Sequence, residues 1–111
     1  METLLVFTNL PDVDAARAMA ARLVEQHLAA CVNILAPCRS VYRWQDRIED
    51  TTEVPVLIKT STTRYPALEA AIRAEHPYEL PEIIAVPVAG GLPEYLAWVA
   101  AETSPNDLPS C

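Results

Sequence analysis

Two long apolar, β-branched runs, residues 30–42 and 48–60, flank the segment WQDR, and this pairing constrains the fold more than any other feature of the chain. Strands in a domain of this size usually span about 5 to 6 residues. Each arm here has about 13 residues, which at roughly 3.3 Å per residue extends about 40 Å. A compact chain of this length has a radius of gyration of only about 13 Å, so part of the hairpin must overhang its own core. An isolated two-stranded ribbon is marginal in water, and its open edges invite pairing with another chain. The hairpin therefore predicts an oligomer. Its end region, RSVYRWQDRIED, carries Tyr42 and Trp44 among Arg39 and Arg43, residue types favoured as interface anchors.

The remaining segments complete an alternating order. Residues 4–7 form an apolar strand leading into the turn TNLPD, and Ala16, Met19, Leu23 and Val24 recur at helical spacing from Asp14 onward. In the second hairpin arm, Val54, Val56 and Ile58 share one parity and Glu53, Leu57 and Lys59 the other; Pro55 predicts an edge or a bulge. Thr62 or Thr63 is the expected cap of a helix with Tyr65, Leu68 and Ile72 on one face, ending near His76 because the residue before Pro77 disfavours helical geometry. EIIAVPV at 82–88 reads as a strand. GGLPEYLAWVA reads as a helix with Pro93 in its first turn and Leu92, Tyr95, Leu96 and Val99 facing inward. The order predicts an α+β fold: a ferredoxin-like antiparallel sheet with helices on one face, a long hairpin between the second and third strands, and an extra C-terminal helix. It forms one domain over 1–103, with a loose tail over 104–111.

Charge and cysteine usage remove several classes of function. With 111 residues and a formal net charge of -7, the chain repels phosphate backbones and anionic lipid, so neither nucleic acid nor membrane is an expected partner. No apolar run approaches the roughly 20 residues of a membrane span. Cys31, Cys38 and Cys111 lack a CxxC spacing, which fits a reducing, cytoplasmic setting better than a disulfide framework or a zinc knuckle. There is no GxSxG, no HExxH and no phosphate-binding loop, and the two glycines, Gly90 and Gly91, cannot form a nucleotide fingerprint. The expectation is a protein without catalytic activity.

The segments ACVNI (30–34), SVYRW (40–44), IKT (58–60), HPYELPEI (76–83) and YLAWV (95–99) resemble, in order and spacing, the CutA divalent-ion tolerance proteins. That resemblance implies a homotrimer that exchanges its long hairpins between neighbours, and an association with tolerance to copper and other divalent metals. No obligatory cofactor is implied; copper or another divalent cation is the expected ligand. The departures are Cys38 after Pro37, where the family usually has glycine, Asp46 at a tip position often held by glycine, and Phe7 and Glu75 at positions sometimes linked to copper.

Cys31 and His76 are the candidate metal ligands, because a thiolate and an imidazole suit copper. The competing readings are packing for Cys31 and helix capping for His76, with His27 read as a surface cap and Cys111 as an adventitious ligand. Asn33, Lys59, Tyr78, Glu79 and Glu82 are the candidates for a small-molecule or inter-subunit pocket. A turn centred near Asp46 brings Asn33 opposite Lys59, and the prolines stiffen HPYELPE. Alternatively, Glu79 or Glu82 pairs with Arg39 or Arg43 of the next subunit. Tyr42, Trp44, Arg39 and Arg43 are the expected trimer contacts. Two functions follow: a trimeric metal-tolerance protein, or a module resembling PII signalling proteins with an effector in the cleft between subunits.

Overall fold

A computed structural model describes residues 2–104. It contains β1 (Thr3–Leu10), α1 (Val13–Glu25), β2 (Cys31–Ile34), β3 (Cys38–Trp44), β4 (Arg47–Ser61), α2 (Tyr65–Glu75), β5 (Ile84–Pro87) and α3 (Pro93–Glu102). The strands lie in the order β2-β4-β1-β5, with β3 continuing along β4 and all pairs antiparallel. This is the expected ferredoxin-like arrangement. The tail expected over 104–111 lies, apart from Ser104, outside the described residues, as does Cys111.

Alternation along β1 and β4 puts Leu4, Val6, Leu10, Val54, Val56 and Ile58 on one face. There they meet Ala16, Met19 and Leu23 of α1 and Leu68 and Ile72 of α2 in one buried cluster. Each fully buried aliphatic side chain of this kind contributes about 1.5–3 kcal/mol. The last helix lies elsewhere. Thr103, just past α3, donates to the Ser61 hydroxyl, which points to the opposite face of the sheet, so α3 covers one end of that face and the other helices share the first. Of the residues expected to point inward from α3, Val99 is buried and Leu96 half-buried, but Leu92 and Tyr95 are exposed because α3 reaches only the end of the face.

Local chemistry sets several boundaries. The Asp12 carboxylate accepts from the Ala15 N–H and starts α1. At its other end His27 takes φ 59°, with His27 N–H donating to Val24 and Leu28 N–H to Leu23. These are the bonds of a Schellman cap, with histidine in the place glycine usually holds. The His27 ring bonds the Glu102 carbonyl, so it caps α3 and not its own helix. For α2 the cap is Arg64, with no side-chain bond; the expected Thr62 and Thr63 are not used.

The second strand does not run unbroken from 30 to 42. It divides at residues 35–37, which stand opposite only Val54 and Pro55, between the pairs Ile34↔Val56 and Cys38↔Glu53. One extra residue is thus inserted as a bulge. Pro55 bonds Leu35 N–H through its carbonyl at this break, so its missing donor falls where the ladder is already interrupted, and the long strand stays central instead of lying on an edge. Cys38 lies in ordinary extended strand; among the described residues, positive φ at non-glycine positions occurs at His27, Gln45 and Asp46. Gln45 and Asp46 (φ 49° and 66°) form a two-residue turn of the kind whose twist matches a hairpin. Beyond the core the ribbon projects, and the molecule measures 48 × 33 × 23 Å.

Candidate functional site

The bulge and the turn together aim the hairpin. Along β3, Cys38, Ser40, Tyr42 and Trp44 share one side, opposite Glu53, Thr51, Glu49 and Arg47 of β4. This side faces the loop that follows α2, and the two enclose a cleft of about 770 Å³ lined by Tyr42, Trp44, Thr51, Glu53, Tyr78, Glu79 and Glu82, among others. The opposite side of the ribbon holds Arg39, Val41 and Arg43. Tyr42 and Trp44 therefore turn toward the loop of their own chain, away from the arginines that the sequence reading grouped with them.

His76 anchors the loop. Its backbone N–H closes α2 on the Ile72 carbonyl, and its ring is buried. The Tyr78 N–H donates to Nδ1 at 3.2 Å, so Nε2 carries the proton that it donates to the Asn9 carbonyl at 2.7 Å. Tyr78 packs on the imidazole with ring centroids 4.7 Å apart. Asn9 also donates through Nδ2 to Glu82 at 3.1 Å, tying the far end of the loop to β1. With Pro77 and Pro81 limiting φ, the cleft wall is held in place before any ligand arrives.

Glu53 is the residue at this site that the sequence did not single out. It is only 7% exposed although it sits on the parity of β4 that faces away from the helices. Strand alternation marks that side as open, and no local signal reveals that a loop from beyond residue 76 covers it. Burial pushes the Tyr78 phenol up to about 12, helped by its hydrogen bond to the Glu53 carboxylate. The neutral phenol thus serves as a donor to the buried Glu53 side chain.

Cys31, Asn33 and Lys59 lie together at a second place, on the sheet face opposite α1 and α2. Lys59 pairs with Cys31, and Asn33 with Leu57, so the expected opposition of Asn33 and Lys59 is off by the bulge and by a turn that includes Gln45. They still meet diagonally: the Lys59 ammonium donates to Asn33 Oδ1 and lies 4.0 Å from the Cys31 sulfur. Burial, with Cys31 beside it, pushes the Tyr95 phenol up. Around them Leu5, Phe7 and Leu57 are half-buried, whereas Ile84 and Val86 are exposed. The pocket residues predicted as one set thus divide between two places, with Tyr78, Glu79 and Glu82 in the cleft.

The candidate metal ligands are also apart. The Cys31 row crosses β1 at Leu5 and His76 bonds at Asn9, four residues further along, or about 13 Å of strand. Among the described residues no three His, Cys, Asp or Glu side chains converge on a point that a metal ion can occupy. Arg39 pairs with Asp50 of its own hairpin at 2.9 Å, while Arg43 has no ion-pair partner among the described residues.

Against known proteins, residues 4–102 match the family model described as CutA1 divalent ion tolerance protein. The chain belongs to this family. It is 44% identical over 99 residues to the divalent-cation tolerance protein CutA of Thermus thermophilus, covering 89% of this chain and 96% of that one. Its fold is similar to the crystal structure of CutA1 from Shewanella sp. SIB1, with a TM-score of 0.90 at 47% identity over 93% of this chain and 96% of that one. A CutA structure from Archaeoglobus fulgidus, named a periplasmic divalent cation tolerance protein, gives a TM-score of 0.89 at 33% identity over 92% and 99%. Among the described residues of this CutA-family chain, no helix is long and apolar enough to cross a membrane.

Proposed function

We propose that the chain is a homotrimeric divalent-cation tolerance protein that associates with copper-class ions and catalyses no reaction. The observation that carries this reading is the family match over residues 4–102. Assembly is supported by the projecting ribbon, whose Val41 and Ile48 are 67% and 70% exposed, and by the uncovered apolar sheet face around Ile84 and Val86. Ribbon and face are different surfaces, so contact between them is head-to-tail, and in this reading a three-fold rotation closes it into a ring. Arg39, Val41, Arg43 and Ile48 are the ribbon's contacts in this reading.

Among the described residues a single chain does not bring together a sufficient metal site, and both ring nitrogens of His76 are engaged. Copper association in this reading therefore draws on donors from more than one subunit, with Cys31 and His76 as contributors, and binding by His76 displaces the Tyr78 N–H from Nδ1. The matched relatives are named for divalent-cation tolerance, which does not favour the PII-like signalling alternative. A cytoplasmic location is part of the proposal, and fractionation tests it against the periplasmic naming of the Archaeoglobus relative.

Calorimetric titration of the full chain with Cu(II) tests the metal reading. The expected result is saturable binding that weakens by about tenfold or more in His76→Ala or Cys31→Ser, the cost of one lost ligand. Equal affinity and stoichiometry in both variants rejects the ligand assignment. Light scattering on the same samples reads assembly separately.

A further inference from the structure

The cleft beside the hairpin has an unbalanced chemistry. Its lining includes the rings of Tyr42, Trp44 and Tyr78 and the carboxylates of Glu53, Glu79 and Glu82, but no lysine, arginine or histidine. Of the ribbon's cations, Arg39 is turned to the far side and paired with Asp50, Arg43 shares that far side, and Arg47, opposite Trp44 on the near side, lies outside the lining. Glu53 is buried at 7% exposure, and a carboxylate has about four acceptor sites, which the Tyr78 hydroxyl alone does not fill. The volume of about 770 Å³ is that of a small-molecule site, far beyond that of one ion. The acids are also too dispersed to share a metal.

From this combination we infer that the cleft binds a small organic cation with N–H donors, of the guanidinium or alkylammonium class. The rings offer their negative faces to a flat, weakly hydrated cation. Glu53 takes two parallel N–H bonds from it, a match that a quaternary ammonium cannot make. Glu79 and Glu82, exposed at the rim, receive a second positive group at the other end of an aliphatic body. The wall is already set by the bonds of His76 and Asn9, so little ordering is required on binding. This inference does not depend on copper, and it requires that no side chain of a second copy fills the cleft on assembly.

Agmatine, which joins a guanidinium to a primary amine through a short alkyl chain, is the probe. Calorimetry on the full chain should show saturable binding, with choline at least about tenfold weaker for want of N–H donors. Glu53→Gln should weaken agmatine by about tenfold or more, and Glu94→Gln, which removes an acid on α3 away from the cleft, should leave it unchanged. If Glu53→Gln does not fold, as judged by circular dichroism, Trp44→Leu replaces it, with a loss of about threefold to tenfold from the missing ring face. Equal binding of choline and agmatine, or equal losses in Glu53→Gln and Glu94→Gln, identifies diffuse attraction to the net charge and overturns the inference. So does no binding in wild type, whether or not Arg43→Ala restores it; restoration identifies an arginine of a second copy as the occupant. Light scattering of each sample keeps a failure of assembly distinct from a failure of the cleft.

Discussion

The hydroxyl of Thr8 lies in the core layer, 1% exposed, with no hydrogen-bond partner among the described residues. An unpaired buried hydroxyl costs about 1–3 kcal/mol, so Thr8→Val, which keeps the shape, should raise stability by about 1 kcal/mol. Chemical denaturation checks this through a higher midpoint at unchanged slope. Tyr78 makes a second prediction. Its phenol holds its proton up to about 12 in the folded chain, against 10.0 for an unperturbed tyrosine. The unfolded state therefore loses that proton first, and the stability Tyr78 contributes is fully present below pH 10.0 and lost as pH rises toward 12. Tyr65, raised to about 12 by burial and by its bond to Glu69, acts in the same direction. An ultraviolet titration should resolve phenols ionising near pH 12, and Tyr78→Phe should remove one of them.

The hairpin shows how far periodicity carries an element. Its length, its tip and the parity of Val54, Val56 and Ile58 were legible because alternation and turn chemistry act between near neighbours. The bulge at residues 35–37 was only hinted at by Pro37 and Pro55, because one inserted residue changes no composition. Together with a turn that includes Gln45, it shifted the partner of Lys59 from Asn33 to Cys31. The tip itself is strained: Gln45 and Asp46 occupy the left-handed region, where a β-carbon costs about 1–2 kcal/mol and Asp less than Gln. Replacing the pair by Asn-Gly should stabilise the chain by about 0.5–1 kcal/mol, the greater flexibility of unfolded glycine offsetting part of the gain. A thermal melt of that double variant, at fixed protein concentration, measures the effect. A lower melting temperature would show that the Gln45 or Asp46 side chain makes contacts worth more than the strain.

For the molecule as a whole, a ribbon that extends a 23 Å thick body to 48 Å and an uncovered apolar sheet face leave much surface that water solvates poorly. Light scattering at micromolar concentration should give three times the monomer mass, and Ile48→Asp, which sets a charge on the exposed ribbon, should lower it. A monomeric wild type would contradict the assembly proposal. What the amino-acid order settled was the set of elements, the antiparallel pairing and the overhang, since these follow from spacings of two and of three to four residues and from simple length. The folded chain alone settled the seat of His76 on Asn9, 67 residues away, and the covering of Glu53 by the following loop. Periodicity records which residues share a face of an element; which distant backbone later closes over that face is decided by packing, where geometry and shape act together.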